Sequence, residues 1–210
     1  SKLGVRICIP NHGRLHEASV NLLGSRGIRR IDGVRVFLCN TTAEGIQILS
    51  VRANDIPTYV YHGIADLGIT GMDIIAEGGF DVYELADLEF GGCDLVVAVK
   101  KDSPYVEPED VPNNSRVATE FPNLTRSYFN GIPVQVEVIP LRGAVEIAPI
   151  LGLADAITDL TVTGGTLERN GLRPIGKVLS STARLICNKV SYKTRYGEIG
   201  RLLKRLGCEV

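Results

Sequence analysis

Apolar and polar positions along this chain follow two alternating periods. Val5, Ile7 and Ile9 repeat every second residue around Arg6 and Cys8, the period of a strand. Just after them Leu15, Ala18, Leu22 and Leu23 gather on one side of a helical period, and Gly27 is placed to stop it. The same reading predicts further strands over 34–39, 67–70, 95–99, 116–119, 134–138, 156–158 and 184–188. Helices are predicted over 55–62, 73–78, 122–129, 144–151 and 196–206, the last carrying Ile199, Leu202, Leu203 and Leu206 as a stripe that ends at Gly207. Short β-branched runs interleaved with amphipathic segments imply an α/β fold.

One pattern occurs twice. Ala65-Asp66-Leu67-Gly68-Ile69-Thr70-Gly71 resembles Ala154-Asp155-Ala156-Ile157-Thr158 with the Thr-Gly loop that follows, as though two lobes each carried a strand ending in polar loop residues. Such a pattern is also common at strand starts in α/β proteins, so the echo leaves both readings open. Small residues at Gly91-Gly92 and Ser180-Ser181 suit hinges. The expected division is a discontinuous first lobe, 1–92 plus 181–210, and a second lobe, 93–180, with the run 184–188 returning to the first.

The chain has 210 residues, of which 44% are hydrophobic and 22% charged, enough to bury a substantial core. Its 23 Lys and Arg nearly balance 24 Asp and Glu, so no global field exists to hold a nucleic acid or an anionic membrane, and neither is an expected partner. Any anion site must be local. Cys8, Cys39, Cys93, Cys187 and Cys208 are odd in number, far apart and free of any C-x-x-C pair, which argues against a disulfide framework or a zinc site and for packed thiols in a reducing compartment. The first residues enter strand alternation directly and no apolar run approaches membrane-spanning length, so the cytoplasm is the expected location.

The chemistry concentrates in Asp159-Leu160-Thr161-Val162-Thr163-Gly164-Gly165-Thr166-Leu167. If a parallel strand ends here, the loop lies at the carboxyl edge of its sheet, where open α/β folds bind ligands. Gly164 and Gly165 let consecutive amides point inward, and Thr163 and Thr166 add hydroxyl donors, which together suit a phosphate; Thr161 is expected to face elsewhere. Asp159 would repel a phosphate but accepts from vicinal sugar hydroxyls. An acid beside an anion cradle suggests a ribose phosphate. The alternative is a plain helix cap by Thr163 or Thr166 with turn glycines.

This loop resembles the phosphoribosyl-pyrophosphate (PRPP) loop of phosphoribosyltransferases, whose commonest version carries two adjacent acids where this chain has Thr158-Asp159. Four further motifs identify the branch: Ile9-Pro10-Asn11-His12-Gly13-Arg14-Leu15; Ala65-Asp66-Leu67-Gly68-Ile69-Thr70-Gly71-Met72-Asp73; Arg116-Val117-Ala118-Thr119-Glu120-Phe121-Pro122-Asn123-Leu124-Thr125-Arg126; and Leu151-Gly152-Leu153-Ala154-Asp155-Ala156-Ile157. In that order they are similar to the ATP phosphoribosyltransferase family, over residues from about 5 to 206.

The resemblance implies a two-lobed periplasmic-binding-protein-like α/β fold with the active site in the interlobe cleft. It implies transfer of a phosphoribosyl group from PRPP to N1 of the adenine of ATP, releasing pyrophosphate, the first step of histidine biosynthesis. By motif, Asp155, Asp159, Thr163, Gly164, Gly165, Thr166 and Leu167 would bind PRPP, Asp155 as a support to the strand. Asn11, His12, Gly13, Arg14 and Leu15, with Arg52, Asp73 and Glu146, would bind ATP, and Asp55 would lie nearby. Asp159 and Arg14 carry the expected catalytic roles: the carboxylate favours a positively charged sugar ring and the guanidinium meets the departing pyrophosphate. Mg²⁺ is expected to ride on that pyrophosphate through oxygen and water ligands, with no metal held by the protein alone. Adenine N1 needs alignment more than deprotonation, so no general base is required.

Two departures from the family pattern matter. His12 stands where Lys is usual, exchanging a permanent cation for a titratable imidazole, and weaker or pH-dependent phosphate binding is expected. Gly165 stands where Arg is frequent. His12 and His16 are four apart, but no third metal ligand is near in sequence. Longer members carry a C-terminal regulatory domain that binds histidine, whereas this sequence ends after Gly207-Cys208-Glu209-Val210; it is either a short form or a truncated long form. The resemblance implies a homo-oligomer, and for a short form a regulatory subunit like histidyl-tRNA synthetase. The competing readings are a non-enzymatic two-lobed small-anion-binding module, an ordinary nucleobase phosphoribosyltransferase and a regulatory paralogue.

Overall fold

The computed structural model describes residues 4–31 and 37–208. In chain order its elements are β1 (Val5–Pro10), α1 (His16–Ser25), β2 (Leu38–Asn40), β3 (Ile46–Val51), α2 (Ile56–Tyr61), β4 (Leu67–Gly71), α3 (Met72–Gly78), β5 (Tyr83–Asp87), β6 (Cys93–Lys100), β7 (Ser115–Thr119), α4 (Pro122–Asn130), β8 (Val136–Pro140), β9 (Ala156–Thr161), α5 (Gly165–Arg169), β10 (Leu172–Ser181), β11 (Ala183–Cys187), α6 (Lys189–Thr194) and α7 (Tyr196–Leu206). They fall into two compact units, one of Ser1–Gly91 with Thr182–Val210 and the other of Gly92–Ser181. The strand predicted over 34–39 lies partly outside the described residues; its described end enters β2.

The first unit is built on a six-stranded sheet ordered β2-β3-β1-β4-β11-β5. β1 runs parallel to β3 and β4, and β11 returns antiparallel to β4. The strand period sorts β1 onto two cores. Val5, Ile7 and Ile9 pack with Leu23, Ile28 and the α7 stripe of Ile199, Leu202, Leu203 and Leu206, while Cys8 faces Ile56, Val60 and Ile186 on the other side. Burial pushes the thiols of Cys8 and Cys187 up to about 12, so both behave as small core hydrophobes.

The second unit has a five-stranded sheet ordered β10-β6-β9-β7-β8. β8, β7 and β9 are parallel, and β6 runs antiparallel to both of its neighbours, β9 and β10. Val96, Ala98, Ile157, Leu167 and Leu172 close one face; Val97, Val99, Val117, Phe129 and Ala156 close the other.

The repeated Ala-Asp pattern is one device used twice. Asp66 Oδ2 accepts the amide of Arg6 at 2.8 Å, and the Asp66 amide donates back to the Arg6 carbonyl at 3.0 Å, tying the start of β4 to β1. Asp155 Oδ2 accepts the amide of Arg116 at 2.9 Å, and its own amide donates to the Arg116 carbonyl at 2.9 Å, tying β9 to β7. Each acid thus pins the register of a parallel pair at its amino end.

The structure departs from the predicted elements in several places. The helix expected over 144–151 is a short 3-10 turn, Val145–Ile147, because Ala144 is left-handed (φ 49°) and Pro149 has no amide to continue a helix. β8 begins two residues later than the predicted 134. β3, β5, β10, α5 and α6 were not predicted. Among the described residues no helix is long and apolar enough to cross a membrane.

Candidate active site

The three parallel strands of the second unit deliver chemistry at one edge. Glu120 follows β7, the 3-10 turn bearing Glu146 follows β8, and β9 ends in Asp159 and the threonine–glycine turn. Asp159 is half-buried and its Oδ1 accepts the amide of Leu160 at 2.9 Å. Burial raises its carboxyl to about 6; the Leu160 amide pulls the other way, and the charges of Glu146 and Glu120 push it further up. Glu120 is raised as well, first by burial and then by Glu146. Negative charge at this edge is therefore poorly compensated by the protein, a setting that favours a cationic partner.

The turn itself is organised by its hydroxyls. Gly164 is left-handed (φ 80°), a conformation that costs glycine little. Its amide donates to Thr161 Oγ1 at 2.7 Å, and the Gly165 amide donates to Thr163 Oγ1 at 3.4 Å. Thr161, expected to face elsewhere, is thus the internal brace of the turn. The amides that open α5 have no intrahelical acceptors, and those of Thr166 and Leu167 follow the braced glycines. The Leu167 side chain is buried at 1% exposure, so only its amide can face a ligand. Thr163 and Thr166 are exposed. Arg169 Nη2 donates to Thr166 Oγ1 at 3.1 Å, bringing a guanidinium over the turn. Sequence reading passed over Arg169, though one helical turn separates it from Thr166. Asp155 is not brought to this group; it lies at the opposite end of β9 on the Arg116 amide.

In the first unit the carboxyl ends of β3, β1 and β4 are followed by Arg52, by Asn11-His12-Gly13-Arg14 and by Asp73. The Asn11 amide donates to Val51 O at 2.8 Å, which joins the first two turns. Gly13 is left-handed (φ 86°) and turns the chain into α1. Arg14 donates to the Gly91 carbonyl and lies 3.4 Å from Asp73 Oδ1, whose residue is 1% exposed. A Cβ on Gly71 would stand 2.1 Å from that same carboxylate oxygen, so the approach requires glycine. Arg52 and Asp55 are exposed, while Leu15 is turned into the core. His12 Nδ1 meets Asn11 Oδ1 at 2.5 Å, and His16 Nδ1 meets the Pro10 carbonyl at 2.7 Å. His12 precedes the helix that His16 begins, so the two do not share a helical face.

Two α/β units of mixed sheets define the class: the fold is that of two-lobed periplasmic binding proteins. The aliphatic sulphonate binding protein SsuA from Escherichia coli superposes with a TM-score of 0.62 at 17% identity, over 98% of this chain and 68% of that one, a likeness of fold alone. The profile of the family described as HisG, ATP phosphoribosyltransferase, matches residues 52–207. ATP phosphoribosyltransferases from Methanothermobacter thermautotrophicus and Methanosarcina acetivorans are 44% and 46% identical to this chain, over 94% and 91% of it and 69% and 66% of their own lengths. A solved structure, the ATP phosphoribosyl transferase (HisG:HisZ) complex from Thermotoga maritima, matches with a TM-score of 0.83 at 32% identity, over 97% of this chain and 96% of that one. The chain belongs to the ATP phosphoribosyltransferase family. It spans about two thirds of the length of the curated relatives.

Proposed function

We propose that this chain transfers the phosphoribosyl group of PRPP to N1 of the adenine of ATP and releases pyrophosphate, the reaction that opens histidine biosynthesis. Family membership supports the activity, and the observation that carries the assignment of residues is the meeting of Asp159 with the braced threonine–glycine turn on one sheet edge. The 5′-phosphate takes the amides of Thr166 and Leu167, the hydroxyls of Thr163 and Thr166 and the charge of Arg169. Asp159 accepts from the ribose hydroxyls and, ionised, favours the cationic ring as the bond to pyrophosphate lengthens. Asn11, His12, Gly13, Arg14, Arg52 and Asp73 serve the nucleotide and the pyrophosphate, with Arg14 held ready by Asp73. Glu146, beside Asp159 and Glu120, contributes to the acidic edge that faces the sugar.

Magnesium enters with the donor substrate. Among the described residues no group of three or more His, Cys, Asp or Glu converges to hold an ion, and the acids of the second unit fit one that arrives already ligated by phosphate oxygens. Its charge offsets that of the leaving pyrophosphate. The thiols and the biosynthetic family support a cytoplasmic protein, and the Thermotoga maritima HisG:HisZ complex supports pairing with a HisZ-like regulatory subunit.

The test is to mix the chain with ATP, PRPP and Mg²⁺ and follow the ultraviolet absorbance of N1-substituted adenine, with free nucleobases as the parallel arm. Product from ATP alone supports the reading. Turnover of free bases instead would identify an ordinary nucleobase transferase, and binding without product a non-enzymatic anion-binding module or regulatory paralogue.

A further inference from the structure

The most deeply buried polar groups of the second unit lie behind the candidate site. Thr119, Thr125 and Thr158 are each 0% exposed, and they come from the end of β7, from α4 and from β9. Their hydroxyl oxygens form a closed triangle: 2.5 Å between Thr119 and Thr158, 2.7 Å between Thr125 and Thr158, and 3.2 Å between Thr119 and Thr125. Thr125 and Thr158 each donate to Thr119 Oγ1, which also accepts the Phe121 amide at 2.8 Å. Valine would fill the same space with no polar burial. What hydroxyls add is direction: a satisfied buried network fixes geometry that apolar packing leaves loose.

Two acids follow the triangle's strand threonines in the chain. Thr119 and Thr158 are register partners on adjacent parallel strands, and the next residues are Glu120 and Asp159 at the sheet edge. We propose that these three threonines form a hydroxyl clasp that sets the placement of Asp159 relative to Glu120, and that they are positioning residues for transfer at the ribose. The inference rests on the proposed reaction and deepens it: the ring-stabilising carboxylate is held by a second strand and a helix as well as by its own strand.

A double-mutant cycle with Asp159→Asn tests it. Thr158→Val keeps volume and branching but removes the hydroxyl, and Thr158→Ser restores it. Misplacing a carboxylate by a fraction of an ångström is expected to lower kcat about tenfold in the native background. In the Asp159→Asn background the same change should cost less than about twofold, since its target is already gone, and Thr158→Ser should stay within about twofold of the unaltered chain. Equal losses in both backgrounds would overturn the clasp. If Thr158→Val does not fold, Thr125→Val, which leaves the 2.5 Å pair intact, takes its place in the cycle. A crystal structure of the valine variant supplies a readout independent of turnover: a displaced Asp159 carboxylate supports the proposal and an unmoved one refutes it. Should the unaltered chain fail to convert ATP and PRPP, the proposed reaction falls, and the crystallographic displacement still decides the clasp.

Discussion

The hydroxyl of Thr161 accepts the amide of Gly164 across 2.7 Å, so the last residue of β9 holds the left-handed corner of the turn that follows it. A loop that would otherwise pay for its ordering when phosphate arrives is therefore set beforehand. Thr161→Val preserves the strand but leaves that amide without its acceptor. Losing a hydrogen bond of about 1–1.5 kcal/mol predicts a rise of about five- to tenfold in the KM for PRPP with little change in kcat. Thr161→Ser should restore the native value; steady-state kinetics on the three proteins check it.

Arg169 brings a guanidinium to the turn through its 3.1 Å contact with Thr166. Arg169→Gln is expected to raise the KM for PRPP about tenfold, the value of one charge-assisted hydrogen bond to phosphate, while the KM for ATP stays put. A change confined to ATP would remove Arg169 from the phosphate site.

The twin carboxylates Asp66 and Asp155 make the same backbone bonds in different surroundings. Asp66 is 1% exposed and also accepts the Ser191 hydroxyl at 2.7 Å, whereas Asp155 is exposed. Removing a buried hydrogen-bonded acid strands its donors, so Asp66→Ala should cost on the order of 3 kcal/mol, and Asp155→Ala about 1 kcal/mol or less because water can replace the carboxylate. Neither should alter the KM for PRPP. Urea unfolding of both variants, alongside kinetics, decides it.

His12 sits at the first turn with its Nδ1 on the Asn11 side chain. His12→Lys adds a permanent charge there and is expected to lower the KM for PRPP by several-fold, the scale of one added exposed charge against phosphate. The gain should shrink as salt is raised. A KM indifferent to the substitution at low salt would take His12 out of phosphate binding.

What the sequence disclosed and what it withheld follow from the range of the interactions involved. α7 was legible because Ile199, Leu202, Leu203 and Leu206 form a stripe with Gly207 as a left-handed stop, all of it local. β10 was not: Pro174 and Gly176 read as breakers, and only its place as an edge strand with register shifts accommodates them. β5 was hidden by Glu84 and Asp87, whose charges are met by Arg184 from β11, far away in sequence. At the site, the acid and the Thr-Gly turn could be read from residue types. The role of Thr161, the approach of Arg169 and the threonine triangle depend on which side chains turn back onto the chain, and no spacing rule reveals that. The repeated Ala-Asp pattern was visible, but only the bonds to Arg6 and Arg116 show it to be a register lock.

Asp159 links stability and activity to pH with opposite signs. Its carboxyl stands at about 6 in the fold against an ordinary 3.8, with burial as the main cause. The folded state therefore holds the proton more tightly than the unfolded chain, and between those two values stability falls as pH rises. Below the lower value the contribution is fully favourable; above the upper one the fold bears the whole cost of a half-buried charge, on the order of 2 kcal/mol. Asp159→Asn removes that dependence. The variant should match the native protein's stability near pH 4 and exceed it at pH 8, raising Tm by several degrees. Catalysis runs the other way, because only the ionised carboxylate favours the cationic ring: kcat/KM of the native chain should decline below about pH 6, and the asparagine variant should be slower by at least about a hundredfold at neutral pH, without that acidic limb. Thermal scans and pH–rate profiles of the two proteins test both halves. A variant that is more stable at pH 8 yet turns over normally would leave Asp159 as a buried strain with no part in the reaction.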